Sequence, residues 1–433
     1  YNGGTATGFA NSGTVRAAAG KTLTFGNLSG LVNNAGVLDA QAGGSIVYAS
    51  GAVFNAGSQF TGAGSNVAAG NNSWNGAFQS SNLVLQTGVH SGNGAVLSGA
   101  AAFTGGYLEG GWQVAPGQVL NARDGANKFI SGAATVLGNQ GTVDWGSTSP
   151  LYMQSGGAVS NQGLFLASET FALIFNGGAA TSFDNTATGT VRAAAGKTLT
   201  LGAGSGFANN GGVLDAQAGG SIVYASGSVF NSGTQFTGAG SNVAAGNNSW
   251  NGAFTTSNLV LQSGVHSGGG AVLAGSATFA GGTLTGTWDV APSQALVAAS
   301  GSIKFISGGG TVLSNQGSFT WATSDTMYLM SGAALLNQGT LDFAADNAVI
   351  FNGGAATTFT NTGLLLKSGG AGTTSIGNGL NFDNQGVVDV QTGTLALPAN
   401  FSNNGTLMGT GSYAVAGTLS NAGTVAPGAS PGT

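Results

Sequence analysis

The chain has 433 residues, with 82 Gly, 6 Pro, no Cys, 42% hydrophobic and only 5% charged side chains, and a formal net charge of −5. Collagen would need Gly at every third position, a disordered linker would not carry 23 Phe and 6 Trp, and so few charges cannot surface ordinary amphipathic helices. Eight basic residues make no field for nucleic acid, the lack of Cys removes disulfide frameworks, zinc ribbons and thiol catalysis, and no apolar run is long enough for a transmembrane helix.

Taken in chain order, the sequence repeats itself. The opening YNGGTATGF at Tyr1 returns as FNGGAATSF at Phe175 and FNGGAATTF at Phe351. Between these markers, VRAAAGKTLT runs from Val15 and again from Val191, and QFTGAGSNVAAGNNSWNGAF from Gln59 and again from Gln235, both at an offset of 176. The chain divides into units 1–174 and 175–350 and a divergent partial unit 351–433, expected to form one continuous rod. It opens without Met and without a leader pattern, as a mature form or a fragment does.

A shorter motif recurs inside each unit: FANSGTV at Phe9, LVNNAGVL at Leu31, VFNAGSQF at Val53, VLGNQGTV at Val136 and AVSNQGLF at Ala158. Its glycines, Gly13, Gly36, Gly57, Gly141 and Gly163, are spaced 23, 21, 84 and 22, and 84 is four steps of 21. The period is therefore near 22 residues, too short for a pair of helices. Segments 45–48, 82–85 and 135–137 are β-branched or apolar and bounded by Gly, Asn or Ser, which predicts strands of three to five residues. Asn and Gly tolerate left-handed backbone, so each Asn-x-Gly is expected to be a corner. Strands and corners repeating at this period predict an all-β, parallel β-solenoid of roughly 20 coils, a rod about 95 Å long at about 4.8 Å per coil. The expected interior is Ala, Val, Leu, Ile and Phe, with Asn, Ser, Thr and Gly forming ladders outside, where stacked like charges would repel.

These N-x-G-x-apolar repeats, with Ala/Gly/Ser/Thr/Asn-rich strands and the closing Val425-Ala426-Pro427-Gly428-Ala429-Ser430-Pro431-Gly432-Thr433, resemble the passenger regions of bacterial autotransporters and related large exported adhesins. The resemblance implies a right-handed parallel β-helix, secreted by or displayed on a Gram-negative cell.

The sequence offers little chemistry. Of the acids, only Asp39 and Asp215 correspond between units, whereas Glu109, Asp124 and Asp144 meet Thr285, Ser300 and Thr320. Asp342 with Asp346 and Asp383 with Asp389 are the pairs that stacking would have to unite for acid/base catalysis. His90 and His266, one per unit, do not supply a metal site. The matched cations Arg16/Arg192, Lys21/Lys197 and Lys128/Lys304 read as solubilising surface charges, and otherwise as periodic attachments to a long polymer. Neither a catalytic set nor a cofactor or metal site is expected. All six Trp recur at 176: Trp74 with Trp250, Trp112 with Trp288, and Trp145 with Trp321. They are candidates for core or corner packing, and otherwise for contacts between rods or with carbohydrate.

The expected function is a non-enzymatic structural or adhesive protein of a bacterial exterior, a rod or stalk whose partners are its own copies, end to end or side by side, and surface glycans. A β-helix that binds or cleaves polysaccharide is the alternative, and an ice-binding surface fits less well because the Thr residues form no regular ladder.

Overall fold

A computed structural model describes residues 7–27 and 29–428. The first six residues of the opening marker and the closing ASPGT lie outside the described residues. Every regular element among the described residues is a strand, and the chain is an all-β parallel solenoid of about 19 turns of about 22 residues. Its contacts fall into two units, Tyr1–Val223 and Tyr224–Thr433, a division that lies inside the second sequence repeat.

In the first unit, one turn is made of strands Val136–Asn139, Thr142–Gly146 and Leu151–Gln154. Each pairs in parallel with its counterpart in the next turn, Ala158–Asn161, Leu164–Ala167 and Phe171–Phe175, all at an offset of 22. The second unit repeats this plan: Val312, Ser318 and Thr326 stand beside Ala334, Thr340 and Ala348. Period-two alternation turns every second residue inward, so Leu137, Val143, Trp145, Leu151 and Met153 are buried while the residues between them stay part-exposed. Turns narrow near the C-terminal side, where Val387 pairs with Thr406 and Thr406 with Thr424, offsets of 19 and 18. The FNGG markers at Phe175 and Phe351 are corners built on glycine pairs in the left-handed region, Gly177 and Gly178 at φ 89° and 83°, and Gly353 and Gly354 at 88° and 83°.

Two expectations about local structure need correction. The segment 82–85 belongs to a 14-residue strand, Asn72–Leu85, followed by the 15-residue Val89–Phe103. Asn72 pairs with His90 at an offset of only 18, which leaves too few residues for looped corners. The chain stays paired around the bend, and register shifts between Asn75 and Ala77 and between Ser80 and Leu83 take up the curvature.

The Asn-x-Gly motif also works differently from the expected left-handed corner. Of its five marker glycines, only Gly57, at φ 85°, is left-handed. At Asn11, Asn33, Asn139 and Asn161 the motif Asn is the last, inward and buried residue of its strand, whereas Asn34 and Asn55 lie outside and bond each other; the buried amides form a ladder inside the solenoid. Asn139 donates to Asn161 (2.7 Å), Asn161 to Asn185 (2.7 Å) and Asn185 to Asn209 (2.5 Å). In the second unit the ladder runs from Asn315 through Asn337, Asn361, Asn384 and Asn403 to Asn421, each step 2.7–2.9 Å. Most of these amides also reach a backbone carbonyl, as Asn139, Asn315 and Asn337 reach those of Leu164, Thr340 and Leu364 at 2.8–2.9 Å. The marker Gly is present because a Cβ on Gly339, Gly363, Gly386, Gly405 or Gly423 would fall on the carbonyl oxygen of the marker glycine one turn earlier.

Candidate functional site

All six Trp are buried, at most 6% exposed. Trp74 packs on Phe54 (4.4 Å between ring centroids), Phe78 (5.2 Å) and Trp112 (5.7 Å), and Trp250 on Phe230 (4.3 Å), Phe254 (5.3 Å) and Trp288 (5.7 Å). Trp145 and Trp321 donate their indole N–H to the carbonyls of Ser149 (3.0 Å) and Asp325 (3.1 Å), closing corners. With their rings inside, these side chains do not offer faces to a glycan or a second rod.

His90 and His266 are also interior, with 0% exposure, and neither ring nitrogen has a hydrogen-bond partner within the chain. Burial pulls both down from 6.5 to about 4, so they are neutral above that range. Lys128 and Lys304 are fully buried too, which corrects their reading as solubilising charges. Lys304 Nζ meets Asp325 (3.1 Å) and the Ser302 carbonyl (3.1 Å), whereas Lys128 Nζ meets Ser147 Oγ and the Ala126 carbonyl, both at 3.3 Å, and lies over the Trp145 ring. Lys367, also buried, meets Asp346 at 2.9 Å, and that hydrogen bond holds the Asp346 carboxyl below its ordinary range. Burial within hydrogen-bond reach of carbonyls and carboxylates keeps these ammonium groups satisfied.

Arg16 and Arg192 bridge to Asp39 and Asp215 one turn on, each at 2.7 Å, which accounts for the one acid that matches between units. The acids weighed as pairs are not brought together: Asp342 bonds Ser368 and Asp346 bonds Lys367, while Asp383 and Asp389 take Gln385 and Gln391. Among the described residues, no cluster of three His, Asp or Glu is placed to hold a metal ion.

Outside, an aromatic row passed over in the sequence runs from Tyr107 to Phe129 (4.4 Å, 10° between planes) to Tyr152 (5.1 Å, 21°), with Phe305 and Tyr328 matching it in the second unit (5.3 Å, 21°). Ring-on-ring stacking directs the faces along the solenoid axis, and Val89 and Ile174 stand next in register at the two ends. Only ring edges face outward, so the row is a ladder and not a stacking platform.

The concave surface lies on another face. In the first unit, a groove of about 350 Å³ is lined by Val96, Gly111, Val136 and Gly138 together with Gln113, Gln140 and Gln162. The Gln amides form a chain, Gln113 donating to Gln140 (2.7 Å) and Gln140 to Gln162 (3.2 Å). Val136 is 43% exposed, and the buried Trp112 reaches the bottom of the groove, its N–H held by the carbonyls of His90 and Glu109, both at 3.1 Å. Gly138 faces outward between Gln113 and Ser160 and puts no side chain into the depression. The second unit has its own groove of about 320 Å³, and all nine residues lining it stand 176 positions after a residue lining the first. The differences are Thr287 for Gly111, Asp289 for Gln113 and Ser314 for Gly138. Gln316 donates to Asp289 Oδ2 at 3.1 Å, while Asp289 Oδ1 is shielded and has no partner within the chain.

These grooves escaped the sequence reading, although a signal was there. The middle residue of Asn-x-Gly is Gln at 140, 162, 316, 338 and 385, and each of these is exposed. Placing such a residue outside requires knowing that the preceding Asn is inside.

No protein-family model, curated protein or solved structure matches the chain.

Proposed function

We propose that this chain is a non-enzymatic, solenoid-building segment of an exported bacterial surface protein, a structural or adhesive element of a Gram-negative exterior, as the resemblance to autotransporter passengers suggests. The observation that supports this reading is what the two sequence repeats keep. All six Trp, both His and the Lys128/Lys304 pair recur and are buried, while Glu109, Asp124 and Asp144 give way to Thr and Ser. The buried scaffold residues are held, and of the carboxylates only Asp39/Asp215, each bridged to an Arg, is held with them. On this reading the work of the protein is reach, stiffness and contact, including contact between copies.

The test is protease shaving of intact native cells with an antibody to the chain, followed by electron microscopy of the released or secreted material. Signal lost on shaving, with filaments or extended particles in the released fraction, is the expected result. Protein that is protected in intact cells and cleaved only after lysis would overturn the proposal.

A further inference from the structure

We infer that the two matched grooves are binding sites for a neutral polysaccharide. The inference does not rest on the surface-structural reading and can fail or stand independently of it.

A pyranose ring is amphipathic: C–H groups cover its faces and hydroxyls, each both donor and acceptor, ring its edge. The first groove is built to the same division. Its lining combines apolar Val96, Val136 and glycine backbone with the linked carboxamides of Gln113, Gln140 and Gln162, and holds no charged side chain. Each carboxamide has two N–H donors and two acceptor lone pairs, and the Gln-to-Gln bonds leave capacity over at every step. Unused donors and acceptors alternating along this row suit vicinal hydroxyls and give a phosphate or sulfate no cation to pair with. Amides on successive turns stand about 4.8 Å apart, a spacing on the scale of one sugar residue along an extended chain. In the second groove, Gln316 supplies a carboxamide that donates to the Asp289 carboxylate. That carboxylate disfavours anionic polymers as well.

Six of the nine residues lining the second groove are the same as their counterparts 176 positions earlier, and a site repeated along one chain suits a ligand that is itself a repeat.

The test is affinity electrophoresis of the full chain in native gels cast separately with dextran, hydroxyethyl cellulose, galactomannan, alginate or no polymer. Gly138→Leu and Ser314→Leu fill the depressions from outside. A Cβ on Gly138 would meet its nearest atoms at 3.6 and 3.9 Å, ordinary contact, so the fold is expected to accept it. Retardation by at least one neutral polymer, with the apparent dissociation constant rising at least about tenfold in the double variant and less in each single one, is the expected result. Gln140→Ala with Gln316→Ala, which removes lining amides and adds no bulk, should weaken retardation by the same polymer. The inference is overturned if no neutral polymer retards the chain, if alginate alone does, or if retardation is unchanged in both double variants.

Discussion

His90 and His266 carry the clearest consequence at the scale of single residues. Each imidazole is enclosed with two unpartnered nitrogens, so the charged form is disfavoured in the folded state and the pKa falls from 6.5 to about 4. Between those values the unfolded chain binds more protons than the folded one, so stability rises with pH. The full stabilisation is present above about pH 6.5 and is lost as pH falls toward 4, on the order of 3 kcal/mol for each His. Urea unfolding at pH 7 and pH 4.5 should therefore give a markedly lower midpoint in acid, and His90→Leu with His266→Leu should remove most of the difference. An equal acid drop in that variant would assign the sensitivity elsewhere. The buried lysines make a second residue-scale prediction. Asp325→Ala leaves the Lys304 ammonium buried without its carboxylate, whereas Lys304→Met removes the charge and keeps the volume. Thermal melts should place Lys304→Met nearer the parent than Asp325→Ala.

At the scale of elements, the amide ladder and the glycine column are two halves of one device. The strand must end on an inward polar residue so that its side chain can satisfy a corner carbonyl in the neighbouring turn, and the corner must lack a Cβ so that the turns can close to backbone contact. Asn337→Ala breaks the ladder at both neighbours, removing the bonds with Asn315 and Asn361 and the one to Leu364. With buried partners left unmet, a loss of about 2–4 kcal/mol is expected, measured by urea unfolding. Gly363→Ala should cost at least as much, since its methyl group falls on the Gly339 carbonyl and only a backbone shift relieves the clash. A near-neutral Gly363→Ala would mean that the turns are not held at this spacing.

At the scale of the whole molecule, each unit is a stack in which a turn meets only the turns beside it, which makes stability a sum of local terms. Leu341 is buried in the second unit, and its strand pairs with those containing Phe319 and Leu365. Leu341→Asp should open these neighbouring turns to hydrogen exchange while amides of Val136–Asn139 and Ala158–Asn161 in the first unit keep their protection. Mass-spectrometric exchange reads both regions in one sample, and a uniform loss across the chain would argue for all-or-none folding.

The sequence alone determined the all-β parallel solenoid and its period, because stacking equivalent residues imposes a 22-residue spacing on Asn, Gly and apolar positions that needs no coordinates to see. It also showed which residues recur in both repeats. What it left open was side. A period of two says that alternate residues face apart but not which set is inward, and polarity misled where polar groups are satisfied inside. Asn337 and Lys304 looked like surface residues for that reason. Only the tertiary structure, by setting each carboxamide, ammonium and imidazole against the turn beside it, put them within the solenoid and left Val136, Gly138 and the Gln row to form the grooves.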